Sequence, residues 1–228
     1  MNQTQTIHTT SSVSSTKMLQ AMVGIGIMCA LMIVLTFEGT KSRIAHNKAE
    51  ALEKAIFKVI PGMVKKRTYQ LNENSSFDTI RSEIKDASLV YAGYDENDQL
   101  VGMAIEASGI GFADIIRILY GYNPETQKIV GFYVLESKET PGLGDKIEKD
   151  ENFLSNFSAL DVTLVEDLSA IKNEIIPVKQ GAKENPWEVD GITGATISSR
   201  SIGNILSEST SHWVPLIYKN RRSFDIKK

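Results

Sequence analysis

Two short segments of the sequence have the residue types of a ligand site. The first is Glu139-Thr-Pro-Gly-Leu-Gly-Asp-Lys146, and we call its Glu139–Gly144 part the first motif. One proline and two glycines in it let a flat or phosphorylated group approach the backbone closely. The second runs from Asp190 to Ser199, where small residues surround Thr193 and Thr196 just before a run with helical periodicity. A threonine hydroxyl at a helix start lies where free N–H groups and the helix dipole favour a phosphate.

Each segment also has a purely structural interpretation, and the residues alone leave both open. The first segment suits a tight connection between a strand and a helix, and threonine and serine are common helix caps. Other sites are not indicated, because the sequence contains no G-x-G-x-x-G, Walker loop, G-x-S-x-G or H-E-x-x-H motif. We therefore assign no catalytic residue.

Composition excludes several classes of cofactor and partner. The 228 residues contain one cysteine, Cys29, and three widely spaced histidines, so an internal disulfide, an iron–sulfur site and a zinc site are not expected. The formal charge of −3, from 25 basic and 28 acidic residues, lacks the basic surplus of a nucleic-acid-binding protein. We assign no metal ligand and no nucleic-acid partner.

Residues 18–37 form an uncharged, apolar run, which predicts a single transmembrane helix over residues 17–38. Twenty residues of helix span about 30 Å, the thickness of the hydrocarbon core of a bilayer. A cleaved signal peptide is the alternative, but its apolar core is shorter and 37–40 is a poor cleavage site. The lipid bilayer is thus an expected partner, and the polar residues 1–16 are expected to be a disordered tail.

The flanking charges bear on orientation. Lys17 precedes the apolar run, whereas Lys41, Arg43 and Lys48 follow it. A literal count of basic residues therefore predicts that the C-terminal part faces the cytoplasm.

The remaining sequence predicts an α+β fold. Apolar spacing predicts a juxtamembrane helix over 41–60, which Pro61-Gly62 ends. Turn residues between apolar runs predict two antiparallel hairpins, which imply a sheet with one covered face. We expect a folded domain over 61–215 and a basic, solvated tail over 216–228. The predicted hairpin strands are 88–94 with 100–106 and 115–122 with 129–135, and the predicted helices are 145–157 and 196–213.

Taken together, these features resemble a known family. The anchor, the Glu139–Gly144 segment and Asp190-Gly-Ile-Thr-Gly-Ala-Thr196 resemble the G subunit of the Rnf ion-translocating electron-transport complex. More broadly, the chain is similar to the FMN-binding domain shared with the C subunit of the sodium-translocating NADH:quinone reductase. Gly109–Arg117 and Gly121 also resemble that domain, and the likeness runs from the anchor to about residue 213.

The resemblance implies a covalent cofactor and its site. In the family, the last threonine of the second motif carries FMN through a phosphoester bond, and that position is Thr196 here. A flavin transferase would attach the FMN from FAD with magnesium, and the 139–144 loop would pack near the isoalloxazine ring. The cofactor-binding candidates are thus Thr196, Glu139, Thr140, Gly142, Leu143, Thr193, Gly194 and Ala195.

The resemblance also implies a function and a location. The chain would be a one-electron relay in a complex that couples electron transfer between ferredoxin and NAD to ion translocation, with the other subunits as partners. It would lie in the bacterial inner membrane, with a cytoplasmic N-terminus and a periplasmic FMN domain, against the charge count. Two alternatives stay open, namely the C subunit of the quinone reductase and a flavin-free, membrane-anchored assembly module.

Overall fold

The computed structural model describes residues 14–80 and 88–226, which fall into two compact units, Met1–Glu50 and Ala51–Lys228. Helix α1 (Ser15–Val59) supplies the described part of the first unit and is exposed along that part. By length and composition it is apolar enough to cross a membrane. Except for residues 14–16, the predicted tail lies outside the described residues.

The second unit is built on an antiparallel sheet of seven strands in the order β2-β1-β3-β4-β5-β6-β7. Both predicted hairpins are confirmed, since β3 pairs with β4 and β5 pairs with β6 in antiparallel register. With its helices, this sheet confirms the α+β class. The strands are β1 (Lys65–Leu71), β2 (Phe77–Ile80), β3 (Leu89–Tyr94), β4 (Leu100–Ile110), β5 (Ile115–Asn123), β6 (Lys128–Glu136) and β7 (Leu160–Asp161), and a separate parallel pair is β8 (Ile176–Val178) with β9 (Glu188–Asp190).

The sheet is covered on both faces, not on one as the hairpins alone implied. The larger apolar cluster includes Met103, Ile118 and the buried side of the C-terminal helix. The opposite face carries a second cluster, in which Ile56 and Val59 from the end of α1 pack on the sheet. The expectation was wrong because sequence alternation does not show that a helix end will cover the second face.

Two facing glycines allow the end of α1 to pack this closely. Gly121 on β5 pairs with Gly131 on β6, and a Cβ at either position would overlap the backbone of Val59. The sheet therefore has a shallow groove at this pair, and the last turn of α1 lies in it.

The remaining helices lie on the side of the larger cluster. The predicted helix 145–157 is instead a 3-10 turn (Gly144–Glu148), a short α2 (Glu151–Ser155) and a second 3-10 turn (Asn156–Ser158). The predicted C-terminal helix is confirmed as α3 (Thr196–Lys219), which begins at Thr196 and buries Ile202, Ile205 and Leu206.

The C-terminal segment differs from the expected solvated tail. After α3 a 3-10 turn (Arg221–Phe224) places Phe224 in the core with no exposed surface. The ring of Phe224 lies 4.9 Å from that of Tyr69, and its carbonyl accepts a 2.7 Å hydrogen bond from the Tyr94 hydroxyl. The basic side chains of Arg221 and Arg222 remain outside. One buried aromatic residue thus fixes a segment whose charges suggested a tail.

We expect Phe224→Leu to lower the free energy of unfolding by about 1–2 kcal/mol, because leucine leaves part of the aromatic site empty. Thermal unfolding of the full chain in detergent, followed by tryptophan fluorescence, measures the change. Arg222→Ala is the matched control, since the exposed arginine should change the stability by less than about 0.5 kcal/mol. Equal stabilities for the leucine variant and the wild type would show that the tail does not contribute to the core.

Candidate functional site

The buried carboxylate of Glu139 connects three segments of the chain. Its Oε1 accepts hydrogen bonds from the backbone N–H groups of Phe112 and Ala113, at 2.8 and 3.0 Å. Its Oε2 accepts a 2.6 Å hydrogen bond from the Ser198 hydroxyl in the first turn of α3. The side chain is 5% exposed. The two motifs found in the sequence are therefore joined by one carboxylate, which also holds the connection between β4 and β5.

Two glycines make room for this carboxylate. A Cβ at Gly111 would overlap Glu139 Oε1, and a Cβ at Gly144 would lie 2.5 Å from Glu139 Oε2 and 3.0 Å from Ser198 Oγ. Gly144 is the last residue of the first motif. Its lack of a side chain thus serves the packing of Glu139 against α3.

Helix α3 begins without a side-chain cap. Ala195 occupies the cap position, and the first intrahelical bond is the 2.9 Å bond from Ser199 N–H to Ala195 C=O. The preceding N–H groups of the helix start have no intrahelical acceptors. No acidic residue lies in the first turn. The start of α3 therefore favours an anion, through its free donors and through the helix dipole.

Thr196 is exposed at this helix start. Among the described residues its hydroxyl forms one hydrogen bond, which is long, at 3.5 Å to the carbonyl of Ile192. The hydroxyl is thus available to form an ester, and little of the fold depends on its hydrogen bond.

The turn before Thr196 is held by one backbone hydrogen bond and by one hydrogen bond to the side chain of Gln180. Gly194 has φ +84°, a conformation that favours glycine, and the Ala195 N–H donates to Ile192 C=O at 3.1 Å. The Thr193 N–H donates to Gln180 Oε1 at 2.9 Å. These bonds present Thr193 and Gly194 at the surface in a defined turn.

Asp190 is the first residue of the second motif, and among the described residues only one of its two carboxylate oxygens accepts a hydrogen bond. Its Oδ2 accepts a 2.9 Å hydrogen bond from Gly181 N–H. Its Oδ1 is buried and has no hydrogen-bond partner within residues 14–80 and 88–226. Asp190 therefore holds the loop that contains Gly181, and its Oδ1 atom has no donor among the described residues.

Three apolar residues close in sequence to the groups that pack on the Glu139 carboxylate are exposed. Phe112, Leu143 and Ile197 have 64%, 52% and 53% of their surface exposed. The backbone N–H of Phe112 donates to the Glu139 carboxylate, Leu143 precedes Gly144, and Ile197 precedes Ser198. A flat aromatic ligand held near Thr196 would find apolar surface here.

Two ion pairs lie beside the 139–144 loop. Lys138 pairs with Asp114, and Lys149 donates to Asp145 at 2.6 Å. The Lys149 hydrogen bond holds the pKa of the Asp145 carboxyl below its usual value, and Asp145 Oδ1 also accepts from Gly142 N–H at 2.7 Å. The loop is thus tied to the 3-10 turn that follows it.

The structure divides the sequence-predicted residues into two groups. Glu139 and Ala195 are buried, and the Glu139 carboxylate points to backbone donors and Ser198, so it supports the loop from beneath. The remaining predicted residues lie at the surface of the two loops and of the helix start. These are Thr140, Gly142, Leu143, Thr193, Gly194 and Thr196.

Sequence reasoning assigned no role to four residues at this site, namely Phe112, Lys146, Ile197 and Ser198, although Lys146 lies in the first candidate segment. Phe112 lies within the Gly109–Arg117 segment that resembled the family, so a signal existed for it. Ser198 looked like one more small residue of a helix start, and only the fold reveals its bond to Glu139. In the parts of the chain that the structure describes, no three His, Cys, Asp or Glu side chains cluster to hold a metal ion.

Comparisons with known proteins agree with this geometry. Residues 111–210 match the family model described as an FMN-binding domain. The G subunit of the ion-translocating oxidoreductase complex of Methanosarcina acetivorans is 29% identical over 202 residues, covering 86% of this chain and 93% of that protein. The protein of the same name from Pasteurella multocida is 28% identical over 188 residues, covering 81% and 86%.

Two solved structures share the fold. Shewanella oneidensis NqrC superposes with a TM-score of 0.61 and 18% identity, over 78% of this chain and 98% of that chain. The C subunit of the Na+-translocating NADH-quinone reductase from Parabacteroides distasonis gives a TM-score of 0.57 and 19% identity, over 76% and 96%. At this identity the likeness shows the fold alone. Residues 111–210 thus match an FMN-binding domain, and most of the chain is similar to G subunits of ion-translocating oxidoreductase complexes, which confirms the resemblance seen in the sequence.

Proposed function

We propose that this chain is a membrane-anchored electron-transport subunit of an ion-translocating oxidoreductase complex and carries FMN esterified to Thr196. One observation carries the proposal: the exposed Thr196 hydroxyl lies at a helix start that has neither a side-chain cap nor an acidic residue in its first turn. The homologous G subunits and the FMN-binding domain support the electron-transport role.

The residues present fit an FMN group. The free N–H groups at the start of α3 would receive the phosphate, and the exposed apolar surfaces of Phe112, Leu143 and Ile197 would contact the ring. Glu139 would hold the loop beneath the ring through its three hydrogen bonds. Further contacts are expected from the exposed and backbone atoms of Thr140, Gly142, Thr193, Gly194 and Ala195.

Attachment requires a flavin transferase with FAD and magnesium. The Thr196 oxygen forms a bond to the phosphorus of the FMN half, the pyrophosphate P–O bond of FAD breaks, and AMP leaves. The hydroxyl proton passes to the transferase. The product is a phosphodiester with one negative charge, which the start of α3 stabilises.

FMN, when bound, supplies reversible electron transfer, while the chain supplies position and electrostatics. We assign the chain a relay role within a complex that couples electron transfer between ferredoxin and NAD to ion movement. The chain alone would turn over no substrate, because its site contains the cofactor position and no assigned catalytic residue.

We place a transmembrane segment at 17–38, a juxtamembrane helix at 41–60 and the FMN-binding domain after it, in the periplasm of a bacterial inner membrane. A covalent link supports this side, because it prevents loss of the cofactor outside the cytoplasm. Reporter fusions after residue 60 test the orientation. We expect activity from a reporter that works only outside the cytoplasm, and activity only from a cytoplasmic reporter would refute the assignment.

The direct test of the cofactor is the mass of the full chain after coexpression with a flavin transferase. We expect a gain equal to FMN minus water and a fluorescent band in a denaturing gel. An unmodified chain beside an active transferase would favour the flavin-free assembly module. Proteins that copurify with the chain would separate an Rnf-type complex from the quinone reductase.

A further inference from the structure

Lys146 reaches the turn that precedes Thr196 from a different part of the chain. It lies in the 3-10 turn that follows the first motif, and its side chain is partly buried. Its Nζ lies 3.8 Å from the position that a Cβ on Gly194 would occupy, and beyond the adjacent residues no other heavy atom lies within 4 Å of that position. The Lys146 ammonium is therefore next to the turn two residues before Thr196.

The charge of Lys146 is available for a ligand. Its neighbours Lys138 and Lys149 are paired with Asp114 and Asp145. Over residues 14–80 and 88–226, no side chain forms a hydrogen bond or an ion pair with the Lys146 ammonium. The first turn of α3 offers it no acidic residue either. A partly buried cation without a partner, beside free helix N–H groups, is a complementary site for an anion.

We propose that the Lys146 ammonium is the charge partner of the phosphodiester at Thr196 and positions it against the start of α3. This inference rests on the proposed attachment of FMN to Thr196. A phosphodiester oxygen would accept a charge-assisted hydrogen bond of about 2.8 Å from the ammonium. The contact would also join the 3-10 turn after the first motif to the turn of the second motif.

Phosphorus NMR of the FMN-loaded full chain in detergent tests the proposal. At neutral pH a phosphodiester carries one negative charge. We expect the phosphorus resonance of Lys146→Gln to be displaced from that of the wild type at this pH, because the charged hydrogen-bond donor beside a phosphodiester oxygen is lost. Lys146→Arg keeps a charged donor, so its resonance should stay near the wild-type position.

Lys149→Gln is the matched control, because Lys149 lies three residues away and is paired with Asp145. The resonance of the control should stay at the wild-type position. A Lys146→Gln resonance that coincides with that of the wild type, or a displacement of the same size in Lys149→Gln, overturns the role of Lys146 while the attachment at Thr196 stands. If the chain carries no FMN mass at Thr196, the proposed function and this inference both fail.

A second readout measures the reactivity of the Lys146 amine itself at neutral pH. Acetylation by a limiting reagent reports the fraction of each amine that is unprotonated and free. An anion beside Lys146 should slow its acetylation about tenfold in the FMN-loaded chain relative to Thr196→Val, because a nearby opposite charge favours the unreactive protonated form. Lys149 should react equally in both samples. Equal rates at Lys146 would contradict the proposal.

Discussion

Thr196→Val should yield a chain with no covalent flavin, even beside an active transferase. Valine has nearly the same shape as threonine but no hydroxyl, so no ester can form. The fold should be unaffected, because the hydroxyl makes one long bond of 3.5 Å and valine is equally compatible with a helix start. Intact mass and in-gel fluorescence measure the loss, and tryptophan fluorescence during thermal unfolding confirms that the variant is folded.

Two control variants test whether the loss of covalent flavin is due to the missing hydroxyl at position 196. Thr196→Ser retains a hydroxyl at the same position and should still gain FMN, at a reduced rate if the methyl group helps to orient the oxygen. Thr126→Val removes an exposed threonine from a turn between β5 and β6 and should leave the flavin unchanged. Covalent flavin in Thr196→Val would move the attachment to another residue and would refute the site.

The start of α3 could be predicted because the signals for it are local. Small residues lie up to Ala195, and the apolar stripe of Ile202, Ile205 and Leu206 begins just after them. The structure begins the helix at Thr196 and buries that stripe. The hairpins were predictable for the same reason, since a polar turn between two apolar runs lies within a few residues of sequence.

The role of Glu139 could not be predicted, because its partners are distant in sequence. Phe112 N–H lies 27 residues before it and the Ser198 hydroxyl 59 residues after it. A carboxylate beside proline and glycine is typical of an exposed loop, and acidic residues are seldom buried. Only the fold brings three donors to the side chain, and these compensate its burial.

The sequence also did not show that the end of α1 covers the second face of the sheet. Gly121 was visible as a glycine in a strand, which indicates a close approach without saying what approaches. In the structure the backbone of Val59 approaches Gly121. Val59 lies at the end of α1, in the part that the sequence pattern predicts as the juxtamembrane helix. The burial of Phe224 could not be predicted either, because a single aromatic residue near basic residues does not indicate what it will pack against.

Glu139→Ala should lower the free energy of unfolding by about 3–5 kcal/mol. Alanine would leave the buried Ser198 hydroxyl and two partly buried backbone N–H groups without an acceptor, and an unsatisfied buried group costs about 1–3 kcal/mol. The midpoint of thermal unfolding in detergent, followed by the fluorescence of Trp187 and Trp213, should fall by about 10 °C. Flavin incorporation, measured by intact mass, should fall too, because the loop and α3 lose their connection.

Glu139→Gln separates the hydrogen bonds from the charge. The glutamine carbonyl can accept from both N–H groups, and its amide can donate to Ser198 Oγ, since a hydroxyl accepts as well as donates. We expect a loss of only about 1 kcal/mol, the difference between charge-assisted and neutral bonds, and near-normal flavin incorporation. An alanine variant as stable as the wild type would show that Glu139 does not hold the site together. A glutamine variant that is stable but free of flavin would instead assign the Glu139 charge a direct part in the attachment.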